Sequence, residues 1–287
     1  PDIVVYGEPW EGGTSALPEN QQADQKNANA LNGVGQFNDQ MRDALIKGGM
    51  KGKTETGWVT NMSTVNSGDV DAIIKGMQGI TAGSVAITSP DRTVNYVTCH
   101  DNYTLYDRII ATGAVRKSKI DIIKGMAVLA NSVVFTSNGT TFMLAGEEFL
   151  RTKNVDGATE DEVHNSYESS YKVNELDYSL KITYADVFAN YQKLIEFKKT
   201  CSGLHLSENE IAGNYTVTQQ AGGSVIQVIV KDAENNREYK IIHANGSVKN
   251  YTADFAGYTL YWDTLGTTQS LSAATAISAY QTIIAYK

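Results

Sequence analysis

The chain has 287 residues, of which 24 are basic and 32 acidic, giving a net charge of −8, and 41% are hydrophobic. That length exceeds what one typical core holds, so one large domain with a smaller companion is expected. The acidic balance argues against nucleic-acid or anionic-membrane partners, and no apolar run approaches the roughly 20 residues that cross a bilayer, so neither partner is expected.

The chain opens directly on a strand pattern, without Met or a lead-in, as if cut from within something larger, and no targeting signal identifies a compartment. Residues 3–7, IVVYG, read as a short buried strand that ends in the turn-rich Glu8-Pro9-Trp10-Glu11-Gly12-Gly13. Residues 14–33 are polar and read as a long surface loop. Val34-Gly35-Gln36-Phe37-Asn38 is a second short strand, leading into Asp39-Gln40-Met41-Arg42-Asp43-Ala44-Leu45. After the Gly-rich residues 47–68, Ser67 or Asp69 is expected to cap a helix whose apolar positions Val70, Ile73, Ile74 and Met77 keep helical step. Residues 94–99 form the third strand, and residues 118–135 a largely apolar helix. Thr141-Phe142-Met143-Leu144-Ala145-Gly146 reads as a fourth buried strand before Glu147-Glu148, and residues 183–199 as a further helix. Apolar, non-alternating strands separated by helices are the mark of a parallel sheet with helical crossovers.

From about residue 203 the texture changes. Residues 215–219, 224–231, 237–243, 258–262 and 282–286 are β-branched and aromatic runs between Gly, Asn and Asp turns, which reads as a small antiparallel sandwich. The expected organisation is therefore α/β over 1–202 and all-β over 203–287.

In parallel α/β folds ligands bind beyond the carboxyl ends of the strands. Two strand ends carry carboxylates: Glu8 in YGEPWEGG and Asp101 in VNYVTCHDNY, where His100, Asp101 and Asn102 stand side by side. Paired carboxylates suit glycosidic cleavage, one protonating the leaving oxygen and another stabilising charge at the anomeric carbon. Trp10, beside Glu8, offers a stacking face for a sugar. The two cysteines, Cys99 and Cys201, and the four histidines lack metal-type spacing, so no metal ligand is assigned and no cofactor is expected.

Longer stretches carry a resemblance. Tyr6-Gly7-Glu8-Pro9-Trp10, Phe37-Asn38-Asp39 with Arg42-Asp43-Ala44, Val94 to Asn102 with Thr104-Leu105, Phe142-Met143-Leu144-Ala145-Gly146-Glu147-Glu148-Phe149-Leu150-Arg151-Thr152-Lys153 and Asn165-Ser166-Tyr167 run in an order similar to that of the α-amylase superfamily. Within it, the chain most resembles the type I pullulanases, which debranch starch. The resemblance implies the second half, about four β/α units, of a (β/α)8 TIM-type barrel followed by a C-terminal antiparallel β-sandwich. It implies Glu8 as general acid/base and Asp101 as transition-state stabiliser, with His100, Trp10 and Asn102 binding the sugar. The implied substrate is an α-1,6-branched glucan such as pullulan or a limit dextrin, cleaved with retention.

Three departures from the family pattern stand out. The family's nucleophile, an aspartate in an Arg-x-Asp setting at the fourth barrel strand, has no counterpart following a buried strand, so the chain alone is expected to be inactive. Where such pullulanases commonly have Asp, this chain has Tyr171, and Tyr106 replaces a frequent Trp. Calcium often accompanies the family, yet no Asp-x-Asp-x-Asp cluster is visible. Half a barrel has two open edges and an exposed apolar inner face, so self-association or binding of the missing half is expected. The alternative is a non-catalytic carbohydrate-binding or structural piece.

Overall fold

The computed structural model describes residues 3–10, 12–49, 52–81, 87–266 and 270–287. A four-stranded parallel sheet in the order β1 (Val5–Gly7), β2 (Val34–Phe37), β3 (Thr93–Asn95) and β4 (Thr140–Thr141) forms its first part. Val5 pairs with Val34, Gln36 with Thr93 and Val94 with Thr140, so each new strand is added at the same edge.

The crossovers follow local sequence. Helix α1 (Asp39–Ile46) starts where the Asn38 side chain accepts the Met41 N–H, and ends at Lys47 in the left-handed region. Helix α2 (Ser67–Met77) is capped by Asn66, which accepts from Gly68 and Asp69. The expected cap at Ser67 or Asp69 is thus corrected: both lie inside the first turn, and Asp69 instead pairs with Lys47 at 2.5 Å. Thr104 caps α3 (Leu105–Ala111), and α4 (Ile120–Phe135) buries nearly its whole C-terminal half. Three short helices, α5 (Glu160–His164), α6 (Tyr171–Asn174) and α7 (Leu180–Thr183), lead to α8 (Ala185–Thr200).

The sheet is tightly curled. Strands three places apart in a flat sheet lie about 14 Å from each other, yet the Tyr6 ring of β1 lies 6.3 Å from Phe142, next to β4. Phe37 fills the space between them, 5.8 Å from Tyr6, 5.2 Å from Phe142 and 4.8 Å from Tyr96. One aromatic from each strand or its extension therefore lines the concave face. The expectation of an exposed apolar inner face holds only in part: Phe37 and Tyr96 are buried, Phe142 is half-buried and Tyr6 is exposed. At and just before β1, Ile3, Val4, Val5 and Tyr6 are all open to solvent, against the expected buried strand. The third and fourth strands are also shorter than their apolar runs. Among the described residues, 96–99 stay buried without ladder pairing, and beyond Thr141 only the Phe142 N–H, donating to the Asn95 carbonyl, continues the ladder. Residues 14–33 are not plain loop, since they contain 3-10 turns at Glu19–Gln21 and Gln25–Ala30.

The second part holds β5 (Tyr215–Gln220), β6 (Val225–Asp232), β7 (Arg237–Ala244), β8 (Thr252–Ala253), β9 (Thr259–Asp263), β10 (Thr275–Ala276) and β11 (Thr282–Tyr286). They make a five-stranded antiparallel sheet in the order β5-β6-β7-β11-β9 and a two-stranded sheet of β10 and β8. One face of the larger sheet, with Val228, Ile241 and Ile284, shares a continuous core with Met126 and Leu129 of α4 and Leu194 and Phe197 of α8. Its other face, with Ile242 and Ile283, packs on Ala253, Phe255 and Ile277 around the smaller sheet. Trp58 crosses between the two parts and donates to the Gly223 carbonyl at 2.7 Å. His243 is fully buried between Thr136 and Thr282, and burial pushes its imidazole down to about 3, so it is a neutral structural residue.

Candidate active site

Parallel pairing sends the chain out at one rim, and the candidate residues gather there. Glu8 directly follows β1, and His100 and Asp101 sit on the turn beyond β3. His100 Nε2 lies 3.8 Å from Glu8 Oε1 and 3.5 Å from Asp101 Oδ1, so two strand ends converge on one imidazole. All three side chains are exposed. Their potential donor atoms lie within 4.8 Å of one another.

A cavity of about 660 Å³ opens beside them, lined by Trp10, Asp39, Arg42, Asp101, Asn102 and His164 among others. Asn165, from the NSYESSY stretch, also lines it, whereas Tyr171 is exposed and Tyr106 is buried in α3. Trp10 and Asn102 thus share a wall with Asp101. Trp10 lies nearly parallel to Phe37, with centroids 6.1 Å apart and planes 16° apart, so the aromatic layer of the sheet sets its tilt.

Beneath Trp10 is a group that the strand-end argument does not reach. Asp39, in the first turn of α1, accepts the Trp10 indole N–H at 2.6 Å and the Tyr96 hydroxyl at 2.9 Å. Arg42 donates to the Tyr96 oxygen at 2.6 Å, lies 3.3 Å from Asp39 and bonds Asp43 at 2.9 Å. Burial raises the Asp39 carboxyl above the ordinary carboxylate range, with Arg42 and the two hydrogen bonds opposing it. Burial works against the Arg42 charge, but Tyr96, Asp39 and Asp43 outweigh it and hold the guanidinium above its usual value. The signal for this group lies in the FND and RDA stretches, whose i,i+3 spacing puts Asp39 and Arg42 on one helix face.

No family model matches the chain. A pullulanase from Bacillus subtilis (strain 168) is 31% identical over 202 residues, 69% of this chain and 26% of that protein. Pullulanase 1, chloroplastic, from Arabidopsis thaliana is 30% identical over 62% of this chain and 22% of its own length. The chain therefore spans about a quarter of the length of these two relatives. Among solved structures, a pullulanase from Anoxybacillus sp. LM18-11 complexed with maltotetraose superposes with a TM-score of 0.82 at 24% identity, over 99% of this chain and 39% of that one. A pullulanase from Bacillus acidopullulyticus does so at 0.78 and 27% identity, over 99% and 34%. By sequence and by fold, the chain belongs to the pullulanase family.

Proposed function

We propose that the chain carries the acid/base and transition-state-stabilising carboxylates of a starch-debranching glycoside hydrolase. In this reading residues 1–202 are the second half of a (β/α)8 barrel and residues 203–287 a β-sandwich that supports it. The observation that carries the reading is the meeting of Glu8 and Asp101, from two different strand ends, around His100. The solved relatives bound to maltotetraose or maltose support a glucan as ligand.

Glu8 then protonates the leaving glycosidic oxygen and afterwards takes a proton from the attacking water. Asp101 stabilises the developing oxocarbenium charge, while His100, Trp10 and Asn102 hold the glucose unit. A retaining reaction also needs a carboxylate nucleophile. The reading takes it from the other half of the barrel, and has the isolated chain inactive.

Calorimetry with maltotetraose tests binding: Asp101→Asn and His100→Ala should each weaken it about tenfold, the loss of one hydrogen bond to a charged group. Reducing ends should appear from pullulan only when the chain is mixed with a complementary barrel half. Activity restored in that way and unaffected by Glu8→Gln would sink the acid/base assignment. Binding without cleavage is the second reading, favoured by the 40% exposed Trp10 at the cavity. Saturable binding with no cleavage in any mixture would select it.

A further inference from the structure

The turn that presents Asp101 is held from below by a charge. Lys153 is only 1% exposed, and lysine is almost never fully buried without a partner. Its Nζ donates to the backbone carbonyl of His100 at 2.6 Å and to that of Asn102 at 2.9 Å. These two carbonyls bracket Asp101. Asn102 stands at φ 63°, a left-handed conformation that asparagine adopts more readily than other non-glycine residues, and the turn it makes brings its carbonyl and that of His100 to the same ammonium.

Lys153 is itself fixed. Its backbone N–H donates to Asp107 Oδ2 at 2.7 Å, and the same carboxylate accepts Thr104 Oγ1 at 2.9 Å and the Thr152 hydroxyl. Thr104 caps α3, so the start of that helix, the Asp101 turn and the FLRTK stretch form one assembly. Burial, aided by Arg151, pushes the ammonium down to about 8, which leaves it mostly protonated at neutral pH.

We propose that Lys153 is a positioning residue of the candidate site: a buried ammonium that spans the His100 and Asn102 carbonyls and thereby aims the Asp101 carboxylate at His100 and Glu8. The role of Asp101 rests on the hydrolase reading; the clamp itself does not. Methionine at this position fills similar space but brings no donor. Arginine brings a planar fork whose N–H groups reach two acceptors at once.

The test uses the whole isotope-labelled chain. In the wild type, the Lys153 ammonium resonance should be protected from solvent exchange and should show trans-hydrogen-bond coupling to the carbonyl carbons of His100 and Asn102. In Lys153→Met the amide resonances of residues 99–103 should shift or broaden while those of β5–β7 stay in place. Affinity for maltotetraose should fall about tenfold, and Lys153→Arg should restore both readouts in large part. An ammonium that exchanges like a surface lysine, or turn resonances unmoved in the Met variant, overturns the proposal. Should the Met variant fail to fold, the wild-type ammonium measurement decides alone. A protected ammonium and a displaced turn in a chain that binds no maltotetraose would sustain the clamp and sink the glucan reading.

Discussion

The indole N–H of Trp10 donates to Asp39 across 2.6 Å, tying the loop that carries Glu8 to the first turn of α1. The same carboxylate holds the Tyr96 hydroxyl and neighbours Arg42. Asp39→Asn keeps the size and one acceptor but removes the charge facing Arg42, which is left with Asp43. We expect a loss of about 1–3 kcal/mol in urea unfolding. Trp10 should become freer, seen as faster tryptophan anisotropy decay; an unchanged decay would show that stacking on Phe37 alone sets the indole.

Glu147 gives the chain an acid-side stability profile. It is buried, accepts the Thr98 hydroxyl, and takes the Asn131 amide at 3.0 Å. Burial pushes its carboxyl up to about 8 from 4.5, with Thr98 and Asn131 opposing and Glu148 adding to the rise. The native state therefore keeps a proton that the unfolded chain releases above 4.5. The unfolded state binds fewer protons across that window, so stability falls as pH rises toward 8. Melting temperatures at several pH values between 5 and 7 should show the fall in the wild type, and Glu147→Gln, permanently neutral, should lose that component of it. Identical slopes in the two proteins would mean that Glu147 is ionised in the fold.

How far the sequence reaches depends on what fixes each feature. In β5 the buried Tyr215 and Val217 alternate with the exposed Thr216 and Thr218, a period-two pattern readable without neighbours, and the five long antiparallel strands were located closely. Parallel strands buried on both faces carry no such alternation. The run 94–99 is buried throughout, as its composition suggests, but in 141–146 only Leu144 and Gly146 are buried and Ala145 is exposed, and neither run shows where pairing stops. β8 and β10 are two residues each and leave no local mark. Glu8, His100 and Asp101 were visible because each follows a strand. Asp39 and Arg42 were visible only as a motif, since their meeting with Tyr96 closes a gap of more than fifty residues. Nothing local distinguishes the buried Lys153 from a surface lysine.

Lys198 stitches the two parts of the fold. Its Nζ donates to the carbonyls of Ser137 at 2.6 Å, Leu204 at 3.0 Å and Gly139 at 3.2 Å, where α4 has ended and the chain turns toward β5. Burial pushes the ammonium down to about 7. Lys198→Met removes a costly buried charge but leaves three carbonyls short of a donor, and an unpaired buried polar group costs about 1–3 kcal/mol. The carbonyls should win, and the variant should melt lower at pH 7. The unfolded lysine keeps its proton to 10.5 while the native one releases it near 7. Wild-type stability therefore gains with pH across that window, and the deficit of the variant should widen on the alkaline side. A constant deficit would mean that the ammonium stays charged throughout.

The exposed edge at β1 should make the chain associate. Ile3, Val4, Val5 and Tyr6 are all exposed, and among the described residues β1 pairs only with β2, which leaves one row of its backbone groups without a ladder partner there. Such an edge recruits another strand, and natural sheets block it with lysine. Val5 neighbours Tyr6, whose ring lies over Phe37 and Phe142. Successive side chains on a strand point to opposite faces, so Val5→Lys adds a charge on the face away from the aromatic layer. Sedimentation velocity over a range of concentrations should show the wild type growing beyond its 31.2 kDa monomer mass. The variant should remain monomeric at the same melting temperature. If both associate equally, the contact runs through another surface, and the opposite sheet edge at β4 becomes the next place to mutate.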